Sequence, residues 1–281
     1  MLEIIKMELF RLKKSVLFWV MFAVTVALPI LSAVTVASLI GVIDKFAGVA
    51  GDAGTDAMNA WDMIRNEGLT LTMLTSLAQI GSNPAVLATI TSAIVLSKEF
   101  GDGTTRNILL ANKTRLELYF AYLIIAVIIA FSFLLGSFAS TMIVVAPIFG
   151  FGELSAGQAV SSCFCSLAMG VVAVLFMEML MCMFLFSTRK QWAAILFPLL
   201  ICIFAPSLLM ALATLILTTL AVKGQLVSMD SLRYVPFVGQ TVYDASNIDG
   251  VTIGMNILYM AVFIAIFVVI GYFTFRKADL K

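Results

Sequence analysis

Uncharged stretches long enough to cross a lipid bilayer dominate this sequence and limit what it can fold into. Five long stretches contain no Asp, Glu, Lys or Arg, and a sixth contains one acid, Glu178. Each exceeds the roughly 20 residues that a helix needs to cross the hydrocarbon core. The six stretches are 15–43, 68–97, 118–152, 154–188, 191–222 and 250–275. The sequence therefore predicts six spanning helices.

The composition agrees with a membrane protein. Of the 281 residues, 62% are hydrophobic and only 12% are charged, whereas a soluble domain of this length needs much more polar surface. We predict an all-α integral membrane protein whose residues 1–281 form a single transmembrane domain without a nucleotide-binding domain. The expected spans are approximately 15–43, 72–98, 117–147, 158–187, 191–222 and 251–275.

The distribution of basic residues predicts the orientation of these spans. If the N-terminus lies in the cytoplasm, thirteen of the seventeen Lys and Arg residues fall on the cytoplasmic side. Basic residues concentrate in the cytoplasmic loops of membrane proteins. We therefore expect a multi-pass protein of the cell membrane with both termini in the cytoplasm. The formal net charge of +1 gives no indication of nucleic-acid binding.

The segment before the first span has the spacing of an amphipathic helix. Apolar residues recur three or four positions apart, and Lys6 and Lys13 flank this stripe. The stripe consists of Leu2, Ile5, Leu9, Leu12 and Val16. We predict an interfacial helix over residues 1–14, with a plain positive flank of the first span as the alternative.

The connector between spans two and three, residues 98–119, combines turn residues with a short apolar segment. Gly101 and Gly103 interrupt the helix of span two, and Thr104 can cap a new short helix. That helix carries Ile108, Leu109 and Leu110, and an exposed apolar surface of this kind suits a groove on another protein. Thr114 and Glu117 have the spacing of a capping box at the start of span three.

The connector resembles the signature of type-2 ATP-binding-cassette (ABC) export permeases. The matching residues are Glu99, Phe100, Gly103, Thr104, Arg106, Leu109 and Arg115. The resemblance implies that this segment docks on a cytoplasmic ABC ATPase and that two ATPase copies serve two permease subunits, here as a homodimer. It places the coupling on Glu99, Gly103, Thr104, Arg106, Ile108, Leu109, Leu110 and Arg115. ATP and Mg²⁺ are expected on the partner.

The residues themselves also indicate that ATP is hydrolysed on a separate subunit. A phosphate-binding loop needs Gly-Lys within G-x-x-x-x-G-K-[ST], and no Gly in this chain is followed by Lys. We therefore expect no ATP hydrolysis and no catalytic residue in this polypeptide. The chain has no histidine, and its four cysteines lie in predicted spans, so no metal site is expected either.

The resemblance also implies that spans two and five line the transport route. Pro84 in span two and Phe197 and Phe204 in span five are then pathway candidates. Glu178 is a fourth candidate because an intramembrane carboxyl is costly and is often functional. It should be protonated, bonded to a neighbouring helix, or exposed to a wet cavity. A structural role and a pathway role both remain open.

The expected function is export of a hydrophobic or amphipathic substrate, because the spans carry apolar surface and no basic residue. Small relatives within the resembled family often export antimicrobial or cytolytic peptides, or confer immunity to them, in bacteria. We expect peptide export, with efflux of lipophilic drugs as the alternative. A secondary transporter is less favoured because such proteins usually contain several intramembrane ionisable groups. An assembly protein without a transport role is the third class.

Overall fold

A computed structural model describes residues 2–46, 69–101, 114–152, 154–222 and 250–277. Every regular element in these ranges is a helix, so the all-α prediction is confirmed. The helices are α1 (Leu2–Lys14), α2 (Val16–Phe46), α3 (Leu69–Leu77), α4 (Asn83–Gly101), α5 (Arg115–Phe149), α6 (Ala156–Thr188), α7 (Gln191–Val222) and α8 (Gly250–Lys277).

Five of these helices are long and apolar enough to cross a membrane. They are α2 as far as Leu39, α5, α6, α7 as far as Ile216, and α8. They coincide with five of the six predicted spans, because an uncharged run of this length satisfies its backbone polar groups in hydrocarbon only as a helix. A multi-pass membrane protein therefore follows from both the sequence and the structure.

The predicted second span, 72–98, is not one continuous helix. The short helix α3 ends at Leu77, and α4 begins at Asn83 after a turn. Gly81 lies in this turn, and Pro84 occupies the second position of α4, where a missing N–H breaks no helical hydrogen bond. The first bond of α4 runs from Val86 N–H to the Ser82 carbonyl, at 3.0 Å.

A single π-helical turn, Thr141–Val145, interrupts α5 near its end. Pro147 follows, and its missing N–H removes a donor from the regular i→i−4 ladder. The Ala146 N–H instead bonds to the Thr141 carbonyl, five residues back. Residues of the irregular turn of α5 and of the turn between α3 and α4 line the same cavity. The two turns are therefore neighbours.

The central helices of the bundle are α5 and α6, which carry most of the large, fully buried side chains. The helices α2, α7 and α8 lie around them and expose long apolar faces. One end of the bundle brings together α1, the end of α4, the start of α5 and the ends of α6 and α8. We call this the terminal end. The short helix α3 packs among the other helices at the opposite end.

Close packing at the opposite end depends on a glycine of α6. A Cβ built on Gly170 would lie 3.1 Å from the Leu77 carbonyl oxygen, where α3 ends. It would lie equally close to the Leu134 side chain of α5. The missing side chain therefore allows α6 to approach the broken part of the second span.

The N-terminal segment is a helix, and part of the predicted apolar stripe packs against the core of the bundle. Leu2 is 74% exposed and Val16 is 75% exposed, although both belong to that stripe. The buried residues are Ile4, Glu8 and Leu12, spaced four apart. The face that packs therefore includes Glu8 as well as part of the predicted stripe.

Candidate functional site

An ion-paired cluster joins α1 to the end of α4 at the terminal end. The guanidinium of Arg11 donates from Nη1 to Glu99 Oε1 at 2.5 Å and to Glu8 Oε1 at 3.5 Å. Both carboxyl groups are almost completely buried, whereas 44% of the Arg11 side chain is exposed. Arg11 therefore bonds to one carboxyl group of its own helix and to a second one, Glu99, that lies 88 residues away in sequence.

The cluster raises the pKa of both of its titratable groups from α1, which favours the neutral form of Glu8 and the charged form of Arg11. Burial, and then the nearby charge of Glu99, raises the pKa of Glu8 to about 7. The hydrogen bond to Glu99 raises the pKa of Arg11 above its ordinary value. Arg11 consequently stays charged at every accessible pH, while Glu8 changes its protonation state near neutrality.

Two of the eight predicted coupling residues lie in the described part of the chain, Glu99 and Arg115. Glu99 accepts a hydrogen bond from Arg11 of α1. Arg115 Nη1 donates to the carbonyl of Arg276, at 2.7 Å, near the end of α8. The other six fall outside the described residues: Gly103, Thr104, Arg106, Ile108, Leu109 and Leu110.

The start of α5 has the capping box that the sequence predicts. The Thr114 side chain accepts from the Glu117 N–H at 3.2 Å, and the Glu117 carboxylate accepts from the Thr114 N–H at 3.3 Å. The hydrogen bonds between Thr114 and Glu117 thus determine the residue at which α5 begins. This is the part of the site that short-range sequence reasoning predicts best.

An aromatic cluster lies between the two helices that flank the connector and was not predicted. Its rings come from four helices and have centroids 5.0 to 6.4 Å apart. The members are Phe100 of α4, Tyr119 and Tyr122 of α5, Phe186 of α6 and Phe275 of α8. Tyr119 also donates from its hydroxyl to the Val268 carbonyl, at 2.6 Å. The two helices that flank the connector are therefore held together by ring packing.

Glu178 of α6 lies in the bundle core with no exposed surface. Its Oε1 accepts a hydrogen bond from the Ser92 hydroxyl of α4, at 3.0 Å. Its Oε2 is buried without a hydrogen-bond partner, and the described residues place no ion pair on it. Of the sequence alternatives, bonding to a neighbouring helix is the one that the geometry realises.

We expect Glu178 to act in packing rather than in transport. Glu178→Gln keeps an oxygen for the Ser92 hydroxyl, so the free energy of unfolding should change by less than about 1 kcal/mol. Glu178→Leu removes the acceptor and should cost about 1–2 kcal/mol. Unfolding of the purified chain in micelles measures both. A Gln variant that assembles normally but loses transport would favour the pathway role.

The other three pathway candidates lie in different places. Pro84 is buried beside the turn that precedes α4. Phe197 stacks on Phe184 of α6 with ring centroids 5.0 Å apart, and Phe204 is 63% exposed on the outer face of α7. The described residues therefore do not bring the four candidates together into one site within a single chain.

Comparison with known proteins gives one match. Residues 30–281 match the model of DUF2705, a family described as proteins of unknown function. The chain belongs to this family. Glu99, Arg115 and Glu178 lie within the residues that match DUF2705, whereas Glu8 and Arg11 precede them. No curated protein and no solved structure matches the chain.

Proposed function

We propose that this DUF2705 chain is the permease subunit of an ABC exporter. In this proposal, a separate cytoplasmic ATPase binds ATP and Mg²⁺ and docks on the connector between α4 and α5. The observation that carries the proposal is the fixing of both flanks of that connector: Glu99 is bonded to α1, and Arg115 is bonded to α8. A segment that transmits force needs rigid attachments at both ends.

Six crossings follow if α4 is the second span. Its 19 residues correspond to about 28 Å at 1.5 Å per residue, close to the thickness of the hydrocarbon core. Hydroxyl side chains lower its hydropathy, but Thr89 bonds within the helix and Ser92 bonds to Glu178. Such groups are accommodated between packed helices. Both termini then share one side, which the basic residues identify as the cytoplasm.

The helix α1 suits the cytoplasmic interface under this proposal. Ser15 separates it from α2, and Trp19 donates to the Lys13 carbonyl at 2.8 Å, which closes the corner between the two helices. Lys6, Lys13 and Lys14 remain exposed and can approach anionic headgroups. Arg11, by contrast, ties the helix to Glu99 beside the connector.

The exposed apolar face of α7 supports pairing with a second permease subunit. Ile203, Phe204 and Leu208 are each more than 60% exposed. In a homodimer, this face would line the route between the subunits or lie beside it. Its aromatic and aliphatic surface, with no charged side chain, suits an amphipathic peptide as cargo, and a lipophilic drug is the alternative.

The docking proposal predicts that Leu109→Asp prevents complex formation. An acid in an apolar contact is costly, so we expect at least a tenfold loss of co-purification with the P-loop ATPase that serves as the partner subunit in this proposal. Val251→Asp is the matched control, because Val251 is exposed in the first turn of α8, away from the connector, where an acid is tolerated. Normal co-purification of the Leu109→Asp chain would contradict the docking assignment.

The same complex, reconstituted in vesicles, tests the cargo. We expect ATPase activity to rise with cationic amphipathic peptides, less with lipophilic drugs, and not with polar sugars. Stimulation by sugars alone would contradict an apolar route. Uptake that needs a proton gradient and no ATP would instead support the secondary-transporter alternative.

A further inference from the structure

A cavity of about 290 Å³ lies at the opposite end of the bundle, far from the connector. Its walls come from α2, α3, the start of α4 and the irregular turn of α5. The volume corresponds to about ten water molecules at roughly 30 Å³ each, so it can hold a polar headgroup. No ionisable side chain is among the described residues that line it.

The start of α4 places the partial positive charge of a helix N-terminus at this cavity. Ser82, Asn83 and Pro84 all line it. The N–H groups of Asn83 and Ala85 precede the first hydrogen bond of α4, which Val86 makes. Such a helix start attracts an anionic oxygen, and none of the described side chains that line the cavity carries a charge to oppose it.

A second observation points to a ligand at the same place. Ser82 is 5% exposed, and its hydroxyl is buried without a hydrogen-bond partner. It stands at the position where a serine normally caps the helix, yet its oxygen does not do so. A buried, unsatisfied hydroxyl that lines a cavity indicates that another group bonds to it.

Three of the other hydroxyl groups that line the cavity offer acceptors rather than donors. Ser32 donates to the Pro29 carbonyl at 2.7 Å, and Thr141 donates to the Ser137 carbonyl at 3.0 Å. Ser76 donates to the Met73 carbonyl at 2.7 Å. With their protons engaged, these three oxygens present lone pairs to the cavity. The site therefore combines a helix N-terminus that can bind an anion with hydroxyl oxygens that can accept hydrogen bonds from an ammonium or hydroxyl group.

The depth of the cavity identifies the source of such a group. Asn83 lies 18 residues from Gly101, which is about 27 Å along α4. The hydrocarbon core is about 30 Å thick, so the cavity lies at the headgroup level opposite the terminal end. Leu31 and Val34 next to Ser32 are more than half exposed, as lipid-facing residues are.

We propose that this cavity binds the headgroup of phosphatidylethanolamine. The phosphate accepts from the start of α4 and from Ser82, and the ammonium donates to the oxygens of Ser32, Ser76 and Thr141. Phosphatidylcholine has the same phosphate, but its quaternary ammonium has no N–H to donate. The site is thus selective for the headgroup and separate from the proposed ATPase contact.

The test uses the full chain purified in dodecyl maltoside and mixed with dioleoyl-phosphatidylethanolamine or dioleoyl-phosphatidylcholine. Native mass spectrometry then counts the retained lipid. We expect one phosphatidylethanolamine per chain and about tenfold less phosphatidylcholine. Ser82→Asp should lower phosphatidylethanolamine retention at least tenfold, because the new carboxylate occupies the helix start itself. Since Asp is a good N-cap, the stability of this variant should not fall.

Three comparisons make the result decisive. Ser161→Asp, an exposed position near the start of α6, should retain lipid like the natural chain. If Ser82→Asp fails to fold, Ser82→Ala removes only the hydroxyl and should weaken retention several-fold. Unchanged retention in a folded Ser82 variant would overturn the proposal. Equal retention of both lipids would overturn it too, whereas displacement by millimolar glycerophosphoethanolamine, which carries the headgroup without acyl chains, would support it.

Discussion

Arg11→Leu should destabilise the protein by about 3 kcal/mol at pH 8. Glu8 and Glu99 would then be two buried carboxyl groups without the cation that bonds to both. Breaking a buried ion pair costs about 3–5 kcal/mol, and the lower end applies because 44% of the Arg11 side chain is exposed to solvent. Unfolding of the chain in micelles under SDS titration measures the change.

The destabilisation should depend on pH in a defined direction. The pKa of Glu8 in the folded protein is raised to about 7, above its ordinary value of 4.5. Between these values the folded state binds more protons than the unfolded state, so stability falls as pH rises from about 4.5 to 7. Arg11→Leu should therefore cost less at pH 5, where Glu8 is protonated, than at pH 8.

Replacing both acids with neutral amides should rescue the stability of the Arg11→Leu variant. Adding Glu8→Gln and Glu99→Gln to Arg11→Leu removes both charges and should restore most of the lost stability. Glu8→Gln alone should flatten the fall in stability between pH 4.5 and 7. Lys14→Leu is the control, because Lys14 is exposed in the same helix and forms no ion pair among the described residues. An equal loss in Lys14→Leu would mean that the charge of α1, rather than the pair, matters.

The spans were predictable because the bilayer itself imposes the pattern. Uncharged runs near 30 residues can only be helices in hydrocarbon, and five long helices follow them closely. The break in the second span also has a local signal in Gly81, Ser82, Asn83 and Pro84. The prediction of a continuous helix used only the length and the charge of that stretch. Neither quantity reports the turn preferences of Gly, Ser, Asn and Pro, so the break was missed.

The cluster at the terminal end was not predictable in the same way. Apolar spacing in the N-terminal segment gives no indication that an acid is buried there, yet Glu8 of α1 is buried. The deciding contact joins Arg11 to Glu99 across 88 residues, and periodicity within one helix contains no information about it. Likewise, nothing local indicates that rings from α4, α5, α6 and α8 meet. The capping box at Thr114 was predictable because both partners lie within four residues.

Phe186→Ala should destabilise the protein about as much as Arg11→Leu does. The ring has no exposed surface and lies 5.0 Å from the Tyr119 ring and 5.3 Å from the Phe275 ring, centroid to centroid. Phe→Ala in a core typically costs about 3–5 kcal/mol. We expect about 3 kcal/mol, because within a bilayer the deleted ring loses packing contacts but little transfer energy from water.

Phe186→Ala should also weaken the proposed contact with the ATPase. Phe186 packs against Phe100 at the end of α4 and against Tyr119 and Tyr122 at the start of α5. These are the two helices that the connector joins, so loosening them should lower ATPase co-purification several-fold even where the chain remains folded. Phe164→Ala is the matched control, since this ring of α6 is 68% exposed at the opposite end. Normal stability together with normal co-purification in Phe186→Ala would show that the aromatic cluster supports neither the fold nor the docking. Loss of stability alone would restrict its role to the fold and leave the positioning of the connector to Glu99 and Arg115.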